Sequence, residues 1–199
     1  MTGRFPPPGR RDSPQFAAGM RFAELAESLS RDGRFEEAVD FMTRAADAFG
    51  AAGDIRAAYC RRSSAEVLLS MDRFQDARVP LEAAREQFAA ARLEEEVASC
   101  DRLLGSVLQA VGESRAAQER YEAAWDAYEG QGQTVDAAHA AMGVATVLHD
   151  RREYEAALYV LDRVRTLLAE AGGDPQAVAR CDMNTGNALL SLGRDEEAA

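Results

Sequence analysis

The chain has 199 residues, of which 47% are hydrophobic and 29% are charged, so it is long enough and apolar enough to bury a core. Its formal net charge of −11 argues against a nucleic-acid partner, because binding a phosphate backbone requires a dense cationic surface. No run of 18 apolar residues and no apolar stretch of signal-peptide type occurs, so we expect a soluble cytoplasmic protein without membrane contact.

Composition divides the chain into a tail and a repeat array. Residues 1–12 are rich in Pro, Gly and Arg, which predicts a flexible tail. Residues 13–199 repeat with a period of about 40 residues, and such periods are typical of helical solenoids. The predicted repeats are 13–53, 54–92, 93–132, 133–173 and a partial repeat, 174–199.

Three anchor positions recur in every repeat: an alanine, a leucine nine residues before it, and a small residue three further back. The anchors are Ala26, Leu29 and Ala38; Ala65, Leu68 and Ala77; Gly105, Leu108 and Ala117; Ala145, Leu148 and Ala157; and Gly186, Leu189 and Ala198. Apolar residues follow each of the first four alanines after 4, 7 and 11 positions, mostly large ones, which places them on one face of a helix. Each repeat therefore predicts two helices joined by a short turn, and the array predicts nine helices without a strand.

Capping and breaking residues support these boundaries. Ser13 before Pro14 and Asp174 before Pro175 are typical helix starts. Glycines separate most repeats, as helix ends prefer. The segment 89–93 contains no Gly or Pro, and we predict a turn there only because the flanking anchors keep their spacing.

Residues 22–29 (FAELAESL) and 33–38 (GRFEEA) carry a small residue, a leucine, a turn, an aromatic and an alanine at offsets that resemble the tetratricopeptide repeat (TPR) family. The resemblance covers about residues 15–199. The usual repeat has about 34 residues, whereas this one has about 40, as in the long-repeat branch of kinesin light chain and bacterial signalling TPR proteins. It implies an all-α, right-handed solenoid with four helical hairpins and an unpaired first helix of a fifth repeat.

The resemblance also implies an inner groove lined by the first helix of each repeat. Arginines there would bind carboxylates, methionines would make adaptable apolar contacts, and paired asparagines would hold a peptide backbone. The candidate groove residues are Tyr59, Arg62, Glu66, Arg102, Gln109, His139, Met142, His149, Arg180, Met183, Asn184 and Asn187.

Arg62 and Arg102 occupy equivalent positions in neighbouring repeats, and this series predicts selection of an acidic segment. The alternative is that they pair with Glu66 and with Glu27 across the groove. A solvated face without a ligand is the alternative for the whole set. The carboxylate clamp of chaperone-binding TPR proteins is disfavoured, since asparagine stands at the matching position only once.

Other polar residues favour structural roles. Cys60, Cys100 and Cys181 share one repeat position, which indicates packing rather than a redox or metal site. His139 and His149 lie ten residues apart on one predicted helix, about 15 Å, so they cannot share a metal ion. Glutamates 94–96 fit the first turn of a helix, and Trp125 fits a core position. No catalytic set, metal site or cofactor site is predicted.

The expected function is therefore a non-catalytic protein–protein interaction scaffold that binds a peptide or protein segment in its groove. The alternatives are a ligand- or peptide-sensing arm of a larger bacterial regulator, and a repeat region of an enzyme with its catalytic domain elsewhere. Because the fifth repeat lacks most of its second helix, we expect a fragment of a larger protein or self-association through the C-terminal helix.

Overall fold

The computed structural model describes residues 12–170, 172, 175–194 and 197. The predicted all-α fold is confirmed over these ranges, which contain nine α-helices and no strand. In chain order the helices are α1 (Pro14–Arg31), α2 (Phe35–Ala51), α3 (Arg56–Ser70), α4 (Phe74–Ala90), α5 (Glu94–Ala110), α6 (Ser114–Gly130), α7 (Thr134–Asp150), α8 (Tyr154–Glu170) and α9 (Pro175–Ser191). Apart from Asp12, the predicted tail 1–12 lies outside the described residues, as do Asp174 and the fifth anchor, Ala198.

The anchor positions form the core, as predicted. The five anchor leucines are 4–7% exposed, and the four described anchor alanines are fully buried. Large residues 4 to 11 positions after each alanine complete the interior, with Phe49, Leu81 and Phe88 at 0–1% exposure. Met42 differs, since it remains half-buried. The sequence period thus specifies which side of each helix is buried.

One turn geometry joins the helices from α1 to α8. After α1, the N–H of Arg34 donates to the carbonyl of Leu29 at 2.9 Å, and Gly33 between them has φ +75°. This pattern is a Schellman motif, in which a left-handed residue lets the chain satisfy the last helical carbonyls. The predicted turn within 89–93 is confirmed and has the same bonding, with Arg92 at φ +58° in the glycine position.

Glycine also permits close helix contact. A Cβ added to Gly105 on α5 would lie 2.7 Å from the ring of Tyr121, and one added to Gly143 on α7 would lie 2.5 Å from it. Tyr121 itself is only 5% exposed. The ring on α6 therefore occupies space that any larger residue at either glycine would fill.

The chain divides into two compact units, with the division between Leu103 and Leu104 inside α5. In the first unit, α1 to α4 pack consecutively, and the start of α5 joins a core cluster with Phe88 and Cys100. In the second unit, α6 to α9 pack consecutively, and α7 also contacts α9. Each unit contains the first helix of a repeat with several predicted groove residues, α3 in the first unit and α9 in the second. The residues on these two helices can be compared.

Candidate binding surfaces on the first helices

In the first unit, the predicted groove residues of α3 are bonded within the protein. Arg62 forms an ion pair and hydrogen bond with Glu96 on α5, and its Nε lies 3.7 Å from a carboxylate oxygen of Glu66. The guanidinium also lies over the ring of Tyr59, 5.5 Å from its centroid, and near Phe88. Only 20% of the Arg62 side chain and 22% of the Glu96 side chain are exposed.

Tyr59 belongs to the same cluster. Its ring makes an edge contact with Phe88 at a centroid distance of 4.9 Å. Burial, and then a hydrogen bond to Glu96, raise the pKa of the Tyr59 hydroxyl. We call Tyr59, Arg62, Glu66 and Glu96 the α3 cluster.

The α3 cluster corrects one part of the sequence-based alternative. Arg62 pairs with Glu66, as that alternative expected, but its second carboxylate belongs to Glu96 rather than to Glu27. Glu96 does lie in the first turn of α5 together with Glu94 and Glu95. The acidic run therefore supplies both a helix start and a partner for Arg62.

The predicted groove residues that lie around the middle of the chain are partly buried. Arg102 is half-buried. In the second unit, the Gln109 amide donates to Asp150 at 2.8 Å and accepts from the Tyr121 hydroxyl at 3.3 Å. These bonds attach α5 to α6 and to the end of α7, so Gln109 has a structural role.

Helix α7 is buried around most of its circumference, with nine buried residues. Met142 is 6% exposed and is therefore a core residue rather than an accessible groove residue. His139 is half-buried. His149 lies 3.3 Å from the Ser191 hydroxyl and packs its ring edge against Tyr154.

Helix α9, in contrast to α7, exposes most of its predicted groove residues to solvent. Arg180, Met183, Asn187 and Leu190 are exposed, and their spacing of 3, 4 and 3 residues places them along one face. Met183 is 59% exposed and Leu190 is 56% exposed. Asn184 is half-buried beside this row. We call the exposed row and Asn184 the α9 face.

The three cysteines have the properties of packing residues. All are free thiols, Cys100 and Cys181 are buried, and Cys60 is half-buried. Burial raises the pKa of Cys60 to about 11 and that of Cys100 to about 12, and it also raises the pKa of Cys181. Because the thiolate is the reactive form, none of the three is poised for nucleophilic or redox chemistry at neutral pH.

Sequence reasoning did not find a cleft between α2 and α4 in the first unit. Its volume is about 510 Å³, and α3 forms its floor through Ser64 and Leu68. Val79 on its rim is 70% exposed. The sequence did contain a signal for this cleft. Eight positions after the anchor alanine, the first repeat has the small residue Ala46, whereas the other repeats have the large residues Arg85, Trp125 and Arg165.

Within the described ranges, no three His, Cys, Asp or Glu side chains cluster as metal ligands would. None of the described helices combines the length and the apolar character needed to cross a membrane.

No protein-family model and no curated protein sequence matches the chain, but solved structures do. Apo RapI is 13% identical with a TM-score of 0.79; the match covers 92% of this chain and 53% of RapI. A kinesin light chain-like protein of nearly identical TPR-like repeats from Podosopora anserina is 17% identical with a TM-score of 0.74, covering 94% and 92%. The Rap conjugation gene regulator of plasmid pLS20, in complex with the Phr* peptide, is 15% identical with a TM-score of 0.67, covering 89% and 49%. The chain therefore has a TPR-like helical repeat fold, and it spans about half the length of the two Rap proteins.

Proposed function

We propose that the chain is a non-catalytic binding module that holds a peptide or protein segment against the α9 face. The observation that carries this proposal is the exposure of Arg180, Met183, Asn187 and Leu190 in one row along α9. An accessible row of apolar and polar side chains on a repeat helix is a surface that a partner can cover.

The chemistry of this row suits a peptide with both apolar and acidic residues. Met183 and Leu190 offer apolar contact, and methionine adapts its shape to different side chains. Among the described residues, Arg180 pairs with no carboxylate, so its guanidinium is available to bind one in two-point geometry. The amides of Asn184 and Asn187 can both donate to and accept from a peptide backbone.

The α3 cluster, considered by itself, is a weaker candidate for ligand binding than the α9 face. Arg62 could accept a ligand carboxylate only in exchange for Glu96, with which it shares a partly buried ion pair. Breaking such a pair leaves a charge without its partner, which is costly. We therefore consider Tyr59, Arg62 and Glu66 weaker candidates for ligand contact than the α9 face, and we exclude Met142 because it is buried.

The similar structures support a peptide as the partner. One of them, the pLS20 Rap regulator, is a complex with a peptide on the same fold. Since its identity to this chain is 15%, the likeness extends to the fold, and the peptide comes to this chain as part of the proposal.

The test selects 12-residue peptides from a display library on the full chain and measures one synthetic selected peptide by fluorescence anisotropy. We expect the double variant Arg180→Ala, Met183→Ala to bind it at least about tenfold more weakly, since each contact removed is worth about 1 kcal/mol or more. Tyr159→Ala is the matched control, because Tyr159 is 80% exposed on α8 and lies outside the α9 face. Equal binding by the double variant, or a loss caused by Tyr159→Ala instead, would contradict the assignment.

A second candidate function is the sensing arm of a larger regulator. It is favoured by the coverage of the Rap proteins, of which this chain spans 53% and 49%. In that case, binding of the peptide should also change the conformation of the repeat array. Solution scattering with and without the selected peptide distinguishes the two roles, since a scaffold predicts an unchanged radius of gyration.

A further inference from the structure

The cleft between α2 and α4 is a candidate second site, separate from the α9 face. Val39 and Ala46 line it from α2, and Val79, Pro80 and Ala83 line it from α4. Between Val39 and Asp47, helix α2 rises about 12 Å, which is the length of three or four residues of extended chain. The volume of about 510 Å³ is within the range of sites that bind small ligands or a few side chains.

Equivalent positions of the other repeats show what normally occupies this place. Eight residues after its anchor alanine, α4 carries Arg85, which donates to Asp101 on α5 at 2.6 Å. At the same position α8 carries Arg165, which donates to Asp182 on α9 at 3.2 Å. Two of the three other junctions thus oppose an arginine on a second helix to an aspartate on the next first helix, whereas the α6–α7 junction has Trp125 and Ala141 at these positions.

In the first repeat, Ala46 stands in place of the arginine and Arg61 stands in place of the aspartate. The arginine now lies on α3, and the opposing residue has no side chain beyond a methyl group. Arg61 donates to the neutral amide of Gln87 at 2.8 Å, and among the described residues it pairs with no carboxylate. Arg61, which lines the cleft from α3, is therefore, within the described ranges, a half-buried arginine without a carboxylate partner, unlike Arg85 and Arg165 at the α4–α5 and α8–α9 junctions.

The rim of the cleft adds two groups that suit a peptide. Val79 is an exposed apolar residue at a helix position where α2 and α6 carry Asp40 and Glu119. Pro80 has no N–H, so the carbonyl of Asp76 loses its usual helical donor and can accept from a ligand. The remaining lining charges are Asp47 and the Arg73–Asp76 ion pair at 2.7 Å.

From this juxtaposition we propose that the α2–α4 cleft binds a short extended peptide segment through one acidic side chain at Arg61 and an apolar side chain over Val79. A peptide fits better than a small molecule, because exposed residues such as Val79 border the cleft and the rest of a peptide can remain in solvent there. Asp47 limits the segment to one acidic group by repelling a second carboxylate.

The probe is a blocked tetrapeptide, acetyl-Leu-Glu-Leu-Leu-amide, titrated into the ¹⁵N-labelled full chain and followed by NMR. Its matched partner carries Gln in place of Glu. We expect the Glu peptide to shift the amide signals of Ala46, Val79 and Ala83, and to bind about tenfold more tightly than the Gln peptide. Arg61→Gln should remove this preference.

Two control variants isolate the site. Val79→Ser should weaken binding of the Glu peptide, whereas Tyr159→Ser, at the equivalent exposed position of α8, should leave it unchanged. Arg165→Gln should also leave the preference for the Glu peptide intact, since Arg165 already pairs with Asp182. Neither control touches the α9 face.

Three results would overturn the proposal. The first is equal binding of the two peptides to the wild-type chain, and the second is a preference that survives Arg61→Gln. The third is that isocaproate, a small branched carboxylate, reproduces the same shifts at the same concentration, which would assign the cleft to a small acid instead of a peptide.

Discussion

Helices α3 and α9 carry the same repeat positions, but their candidate ligand-binding residues are in opposite states. On α3, Arg62 is held between carboxylates and aromatic rings, and 20% of its side chain is exposed. At the equivalent position on α9, Met183 is 59% exposed. On α3, Phe88 and Glu96 from the following helices α4 and α5 lie beside Arg62, whereas among the described residues no helix follows α9. A repeat position thus fixes where a side chain projects, while its neighbours decide whether it remains available.

The largest expected effect tests the row of buried anchor leucines that the first helices of all repeats share. Leu68→Ala and Leu108→Ala should each lower the free energy of unfolding by about 2–5 kcal/mol, because both leucines are 4% exposed and leave cavities. Leu190→Ala on α9 should change it by about 0.5 kcal/mol or less, since Leu190 is 56% exposed. Urea denaturation measures all three. Similar losses at Leu68 and Leu190 would show that the buried and exposed rows are misassigned.

A smaller effect is expected at the ion pair between Arg62 and Glu96 in the α3 cluster. Glu96→Gln should lower stability by about 1.5–3 kcal/mol, the range for a hydrogen bond to a charged group in a partly buried site. Asp182→Asn is the control, because its pair with Arg165 has both side chains 58% exposed and should contribute about 0–1 kcal/mol.

The same variant shows whether Arg62 is an available ligand contact. If Glu96 stands where a ligand carboxylate would bind, Glu96→Gln should strengthen binding of an acidic peptide even as stability falls. If the α3 cluster is only structural, binding should not change. Equal stability losses in Glu96→Gln and Asp182→Asn would contradict the contrast between the partly buried Arg62–Glu96 pair and the exposed Arg165–Asp182 pair.

The repeat period made the core predictable, whereas the side-chain partners required coordinates. The spacing of Leu68 and Ala77 from their counterparts is visible in the sequence, because every repeat must bury the same side of each helix. The partner of Arg62 was not predictable, since Glu27 on α1 and Glu96 on α5 lie on the first helices of the preceding and following repeats and only the structure distinguishes them. Met142 was placed in the groove by its position, but α7 is apolar on nearly all sides and buries it.

The smallest expected effect is at the turn before α5, the helix that carries Glu96. Arg92 has φ +58° at the position where Gly112 has φ +83° after α5. A non-glycine residue costs about 1–2 kcal/mol in this conformation, and glycine returns about 0.5–1 kcal/mol of that through its greater freedom when unfolded. Arg92→Gly should therefore raise the free energy of unfolding by about 0.5–1 kcal/mol, measured as a higher urea midpoint at an unchanged m-value.

Gly112→Ala should lower the free energy of unfolding by about 1 kcal/mol, although no atom crowds that position. Arg92→Ala separates the loss of charge from the backbone effect, since alanine keeps the left-handed cost. A gain in Arg92→Ala equal to that in Arg92→Gly would show that charge, and not φ, limits this turn.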